Sequence, residues 1–374
     1  MILQFYYARG GSFEEYQNQM NIYAVVETIE VNGEIVDCVD INKQPSLQHP
    51  LLQNHEIQTE PTSFPVDQKP SSSFSKSNQV KMQEAECPLG TVPIYRTPND
   101  HPTFLPDMFF ADLNNSKDVL PGKTRLAALR TKDEYNYIYR GVMGNPALYN
   151  LDVQKKQISI SGVWIENFED NPKNIIVTGH MVSPYLKGDN RPRMFVYWSG
   201  NGRGNGGCYD FRCPGYVQVH RKIAPGSAFV PVSTYGGQTT DQRYVIFEDQ
   251  KTGNWWITIG EPSVTIGYFP KELFTHLNAR SNRLGWGGVA VAAGDGTMPP
   301  MGSGHKPDGD FKRSGYVRGV QYVDANFIAQ SPLRNGVTKF VDESGCYGFD
   351  NWGYNSNWGY VILYGGPGGF CGRG

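Results

Sequence analysis

Between residues 23 and 41 apolar and polar positions alternate around Asn32-Gly33. Asn-Gly accepts positive φ at both central positions of a tight turn, so this stretch predicts a β-hairpin. From about residue 135 onward the same period-two pattern recurs in short runs. Strands are predicted over Gln157–Ile165, Arg193–Trp198, Tyr216–His220, Arg243–Glu248, Trp255–Ile259, Val264–Tyr268, Val289–Ala293, Tyr316–Val323 and Trp358–Tyr364. The turn holding Gly253 makes a second hairpin of the fourth and fifth of these. Helical signals are few: residues 124–131, and Lys271–Leu277 with Pro270 suited to a first turn. Residues 54–86 are polar and Pro/Ser-rich, including Pro70-Ser71-Ser72-Ser73, and read as a linker or mobile loop. Residues 87–98 carry three prolines, which excludes regular helix and a central strand. Many short strands between Gly/Asn/Asp/Pro turns predict a mainly β protein, an antiparallel sandwich or barrel.

Composition sharpens this picture in three ways. Gly is 43 of 374 residues, aromatics are 13% and charged residues 19%, which suits tight turns and disfavours a helical bundle or general disorder. A net charge of −2 leaves no basic footprint for nucleic acid. No run reaches the 18 or more apolar residues of a membrane-spanning helix. The length suits about two domains. The N-terminus, MILQFYYARG, lacks the basic start and long apolar core of a signal peptide. Asn114-Asn115-Ser116 is a glycosylation acceptor pattern, relevant only in a secreted chain.

Six cysteines, Cys38, Cys87, Cys208, Cys213, Cys346 and Cys371, allow 15 pairings. Cys208 and Cys213 are near enough to staple a turn, and Cys346 and Cys371 bracket a Gly/Tyr/Trp-rich tail. Free buried thiols are the competing reading, and pairing stays open on spacing alone. Neither the cysteines nor the seven scattered histidines have metal-ligand spacing, so no metal and no cofactor is expected. Gly202, Gly204 and Gly207 match the dinucleotide fingerprint without the strand before and helix after that such a site needs. Ser303 and His305 sit two apart on a Gly-rich loop, which suits a turn better than a nucleophile and its base. Tryptophans such as Trp198, Trp255, Trp256, Trp286, Trp352 and Trp358 fit a core, or a cleft for a peptide or sugar.

Several ordered motifs point to a family. Cys38-Val39-Asp40-Ile41, Lys43-Gln44-Pro45, His49-Pro50-Leu51-Leu52 and Cys87-Pro88-Leu89-Gly90-Thr91-Val92-Pro93-Ile94 resemble the activation-peptide region of the plant neprosin-domain proteins. Gly188-Asp189, Tyr197-Trp198, Gly207-Cys208-Tyr209, Cys213-Pro214-Gly215-Tyr216-Val217-Gln218, Gly253-Asn254-Trp255-Trp256, Trp286-Gly287-Gly288, Met301-Gly302-Ser303-Gly304-His305 and Tyr364-Gly365-Gly366-Pro367-Gly368 are similar to that family's catalytic domain. The resemblance implies a secreted precursor. Residues 1–22 would be a disordered or truncated leader, 23–130 an activation region, and 135–374 a β-sandwich of two antiparallel sheets. It also implies disulfides Cys208–Cys213 and Cys346–Cys371, a monomer, and proline-containing peptides or proteins as partners. Active members are glutamic endopeptidases that cut after proline in acid, using two glutamates across a cleft. Two nearby carboxyls with separated pKa values can polarise a water and deliver a proton.

The carry-over breaks at those two glutamates. The first lies two residues before the glycine that Gly179 matches, and Val177 stands there. The second follows the Trp-Gly-Gly motif, and Val289 stands there. His180 replaces a family tryptophan and Lys187 a family aromatic; with Trp198 and Trp286 they are expected to neighbour the cleft. Valine neither accepts nor donates a proton, and losing catalytic groups that act as a unit costs up to about 10⁶-fold in rate. The expectation is therefore a catalytically silent member retaining a peptide- or wall-polymer-binding cleft. The alternatives are an active acid prolyl endopeptidase using a shifted carboxylate, and a structural or storage protein.

Overall fold

The computed structural model describes residues 24–67, 80–96, 124–132, 137–154, 156–167, 174–200 and 208–371. The expected leader 1–22, the acceptor Asn114 and the Gly202–Gly207 loop lie outside them.

Twenty-two strands build the described chain. The N-terminal part holds β1 (Val25–Val31), β2 (Glu34–Asp40), β3 (Val66–Asp67), β4 (Lys81–Met82) and β5 (Thr91–Tyr95). The remainder holds β6 (Thr124–Thr131), β7 (Gly141–Pro146), β8 (Ile158–Asn167), β9 (Asn174–Val182), β10 (Arg193–Ser199), β11 (Cys208–Tyr209), β12 (Val217–Gln218), β13 (Phe229–Val230), β14 (Tyr244–Glu248) and β15 (Trp255–Ile259). It continues through β16 (Val264–Phe269), β17 (Arg283–Val291), β18 (Gly315–Val323), β19 (Ile328–Gln330), β20 (Val337–Val341), β21 (Gly348–Asn355) and β22 (Gly359–Gly365). Among the described residues no helix is long and apolar enough to cross a membrane.

The expected hairpins form. Asn32 (φ 52°) and Gly33 (φ 83°) turn β1 into β2, and β14 pairs with β15 across the Gly253 turn. β5 pairs only with β2, so its proline sits on a sheet edge where no ladder donor is needed. Two expectations are corrected. Residues 124–131 form strand β6, flanked by β17 and β20, rather than a short helix. Leu126 and Ala128 serve one apolar layer and Ala127 and Leu129 another, and a strand apolar on both faces mimics a buried helix in sequence. Lys271–Leu277 yields a single 3₁₀ turn at Lys271–Leu273.

Two antiparallel sheets face each other. One has seven strands, β11-β10-β9-β8-β17-β6-β20; the other is a ten-stranded sheet carrying β12-β16-β15-β14-β7-β18-β19-β3, with β22 and β21 joined beside β18. The layer between them is the main core, holding Val163, Ile165, Ile176, Val196 and Trp286 from the first sheet and Val142, Ile246, Trp255, Ile257 and Ile362 from the second. Burying an aromatic removes about 150–250 Å² from water, so residues such as Trp286 and Trp255 dominate this layer. The indole N–H of Trp286 donates to the Met143 carbonyl at 2.9 Å, tying β17 to β7 across the interior.

All six cysteines pair: Cys38–Cys87, Cys208–Cys213 and Cys346–Cys371. The first bond lies wholly within the N-terminal part and the other two wholly within the sandwich, so no disulfide joins the two parts. The N-terminal part forms its own three-stranded sheet, β1-β2-β5, and docks by sending Val39, Leu52 and Ile94 into the main core and through polar contacts. Fully buried Arg193 bonds Glu34 at 2.6 Å and Asp189 at 2.7 Å. The Gln44 side chain accepts from Gln218 N and donates to Gln218 O. Residues 54–67, expected as part of a linker, lie against the ten-stranded sheet, where β3 adds beside β19 in parallel. Their polar side chains look linker-like only because their partners are almost two hundred residues away.

Candidate active-site face and its occupants

Cross-strand partners in an antiparallel sheet share a face, and alternate residues along a strand share one too. Val177 on β9 pairs with Trp164 on β8, and Val289 on β17 pairs with Ile160 on β8. Trp164 and Ile160 are four apart, so both valines point to the same face of the seven-stranded sheet, the face turned away from the main core. Between their levels runs a row of three glycines: Gly179 on β9 pairs with Gly162 on β8, which pairs with Gly287 on β17. The valines therefore stand at diagonal corners of a bare floor.

The floor is glycine for steric reasons. A Cβ on Gly179 would lie 2.2 Å from the Ser161 carbonyl oxygen, and one on Gly162 would lie 2.4 Å from that of Thr178. Gly287 has φ +141° and would press Ala127 O at 2.5 Å. Side chains there cannot fit without moving backbone. The level offset from Val177 to Val289 is four residues, roughly 13 Å along the strand, plus two strand spacings of about 4.8 Å each. Two long side chains could reach inward over the glycine row, whereas two valines leave it apolar.

The residues packed around the valines are apolar. Ile158, Ile160, Trp164, Ile175, Met181, Phe195 and Tyr197 surround the valines in one buried cluster. Val177 and Val289 are both 0% exposed in the full-length chain.

Two carboxylates lie at the margins, and both are engaged. Glu166, two residues beyond Trp164, takes a bidentate contact from Arg283 at 2.8 and 3.2 Å. Burial alone would push its pKa up, but Arg283 and Arg130 outweigh that and hold the carboxyl below the usual glutamate value. A carboxylate so clamped carries no proton to deliver. Asp342, just past β20, accepts from Leu126 N at 2.7 Å, and burial raises its pKa. Leu126 pairs with Val289 while Arg283 pairs with Glu166, six residues further along β17, so these two carboxyls sit near opposite ends of the face.

The four expected cleft neighbours divide. Trp286 pairs with Val163, Trp198 with Ile176, and His180 with Met194, all members of or beside the main core. They support the Val177/Val289 face from behind, because each is an odd number of residues from the valine on its own strand or lies on the facing register. His180 packs on Phe229 and Tyr244, and burial lowers its pKa to about 3, so it stays neutral. Lys187 closes the short helix Pro184–Lys187 and pairs with Asp210 at 3.1 Å, both nearly buried. The glycine row was missed by sequence reasoning, although a glycine inside a strand pattern signals close backbone approach.

Two family models and a solved structure are among the known proteins that the chain matches. The model of the neprosin activation peptide matches residues 28–104, and that of neprosin matches residues 155–367. Among solved structures, the crystal structure of Scytalido-glutamic peptidase with a peptide-based transition-state analogue is similar at 9% identity and a TM-score of 0.33, covering 65% of this chain and 97% of that one. The neprosin match alone spans more than half of the sequence, and the activation-peptide match precedes it in order. The chain belongs to the neprosin family, with its activation-peptide region attached.

Proposed function

We propose that this chain is a secreted neprosin-family protein that has lost the family's peptidase chemistry and keeps a binding face for proline-containing polypeptides. The single observation that carries this reading is the pair Val177 and Val289 at the corners of the glycine row, where no carboxylate can activate a water. Glu166, on the neighbouring strand β8, is held as an ion pair by Arg283, which argues against a shifted dyad. Three disulfides support an oxidising compartment. The absence of any disulfide between the N-terminal part and the sandwich supports a removable cover.

The test is a cleavage assay. Purified protein, with the stretch 97–123 cut to free the sandwich, is incubated in acid with a proline-containing peptide beside a heat-killed control. No product above the control is expected. Product that disappears in a Glu166→Gln variant would replace this reading with a shifted-carboxylate peptidase.

A further inference from the structure

On the far side of the molecule from Val177 and Val289, the outer face of the ten-stranded sheet carries a second apolar cluster built around Phe247, Trp256 and Tyr268. Residues 55–67 lie across it, bent at 59, 60 and 62 and joining the sheet as β3 at 66–67. The phenol oxygen of Tyr268 accepts from Gln58 N at 3.0 Å and bonds His55 Nε2 at 2.7 Å. The ring of Phe64 lies 5.6 Å from that of Phe247 although Phe64 is largely exposed. Val66 N donates to the Phe327 carbonyl, and β3 continues the sheet beside β19.

Both ends of the Gln58 side-chain amide are engaged. Its amide nitrogen donates to Asp249 Oδ2 at 2.9 Å, and its amide oxygen accepts from Asn254 Nδ2 at 2.9 Å and Thr252 Oγ1 at 3.1 Å. Asp249 also accepts the backbone N–H and the hydroxyl of Thr62. An acceptor and a donor set side by side select a primary amide over a carboxylate.

The reading groups are held by the sandwich itself. Asp249 Oδ1 takes the N–H groups of Lys251 and Thr252 within its own hairpin loop, which orients the carboxylate, and it also accepts from the Thr62 hydroxyl, while Oδ2 accepts from Gln58 and Thr62 N. Asn254 Oδ1 accepts from Lys271 N, which fixes its amide nitrogen toward Gln58. A site whose polar groups are fixed by its own fold loses little freedom on binding.

We propose that Asp249, Asn254, Thr252 and Tyr268 form a peptide-recognition site, separate from the Val177/Val289 face, with residues 55–67 as its tethered occupant. Its partner is a polypeptide carrying glutamine, threonine four residues later and an aromatic residue two beyond that, with one proline just before the threonine and one just after the aromatic residue. Binding combines strand addition at the sheet edge with side-chain readout, as in other β-augmentation sites. The proposal stands whether or not the valine face retains catalysis.

The experiment titrates a fluorescent peptide of sequence QNHEIQTEPTSFPVDQ into the full-length chain carrying Gln58→Ala, Thr62→Ala and Phe64→Ala together. Saturable binding is expected, with the wild-type chain at least about tenfold weaker because its own segment competes at high effective concentration. The same peptide with glutamate in place of its central glutamine should bind at least about tenfold more weakly, since two carboxylates would then meet. If the triple variant lacks native circular dichroism, the Thr62→Ala chain is titrated instead. Equal binding of the two peptides, or no saturation in any chain, overturns the proposal.

Discussion

Val177 and Val289 occupy diagonal corners of a glycine row on one face of the seven-stranded sheet, with β8 between them. The glycine row leaves room for two inward-reaching side chains, and valines there offer neither acid nor base. Valine favours β structure, so both positions suit their strands.

On the proposed mapping, glutamates at both positions should give peptidase activity. The double variant Val177→Glu/Val289→Glu, with residues 97–123 cut, is expected to cleave a proline-containing peptide in acid at least about 10²-fold above the parent chain. Either single variant should stay near the parent rate, because the two groups act as a unit. Product formation by mass spectrometry decides.

A single carboxylate on this buried apolar face also reports on its surroundings. In the full-length chain Val177→Glu should be destabilised by a few kcal/mol at neutral pH. Burial raises the folded-state pKa above the unfolded value. The folded form is then least penalised below the unfolded pKa, and stability falls as pH rises through the folded one. Urea unfolding at acid and neutral pH should show the variant nearer to the parent in acid.

Acid should loosen the N-terminal part. His49 packs on Trp198, and burial pushes its pKa down to about 4 from the usual 6.5. The docked state thus prefers the neutral ring. Its contribution is complete above about pH 6.5 and is lost as pH falls toward 4. Asp249 acts lower: burial alone would raise it, but hydrogen bonds from Thr62, Lys251 N and Gln58 hold it below the ordinary value of 3.8. Its contribution is present above that value and fades as pH drops through the docked pKa. Size-exclusion chromatography of chain cut within 97–123 should show one species at neutral pH and two in acid. His49→Phe should weaken the dependence between pH 6.5 and 4.

Trp286→Phe tests the tie between the sheets. It keeps a ring and removes the donor to the Met143 carbonyl. Leaving a buried carbonyl short of its partner costs about 1–3 kcal/mol. Chemical denaturation should show that loss, with an unchanged slope if the unfolded state is unaffected.

Gly162→Ala should be at least as costly, since its Cβ would meet the Thr178 carbonyl oxygen at 2.4 Å. Overpacking of this kind costs typically about 1–3 kcal/mol. A variant as stable as the parent would mean that the glycine row is not sterically required.

Much of the fold was readable from local pattern. Trp255–Ile259 was expected and found with the same ends, and Asn32-Gly33 made its hairpin. Period-two alternation and turn chemistry depend on neighbours in the chain, so sequence carries them. Residues 124–131 were misread because β6 is apolar toward both layers, which erases the alternation that marks a strand.

The amino-acid sequence by itself determined the strand-rich class, the family motifs and the valines at positions 177 and 289. Those are properties of single residues and their near neighbours. Only the tertiary structure decided that His180, Trp198 and Trp286 turn inward while Val177 and Val289 turn outward. Strands buried on both faces show no polar side from which to read direction. It also decided that residues 55–67 are an occupant of the ten-stranded sheet. Gln58 and Asp249 are 191 positions apart, and no local preference specifies a contact closed across that distance.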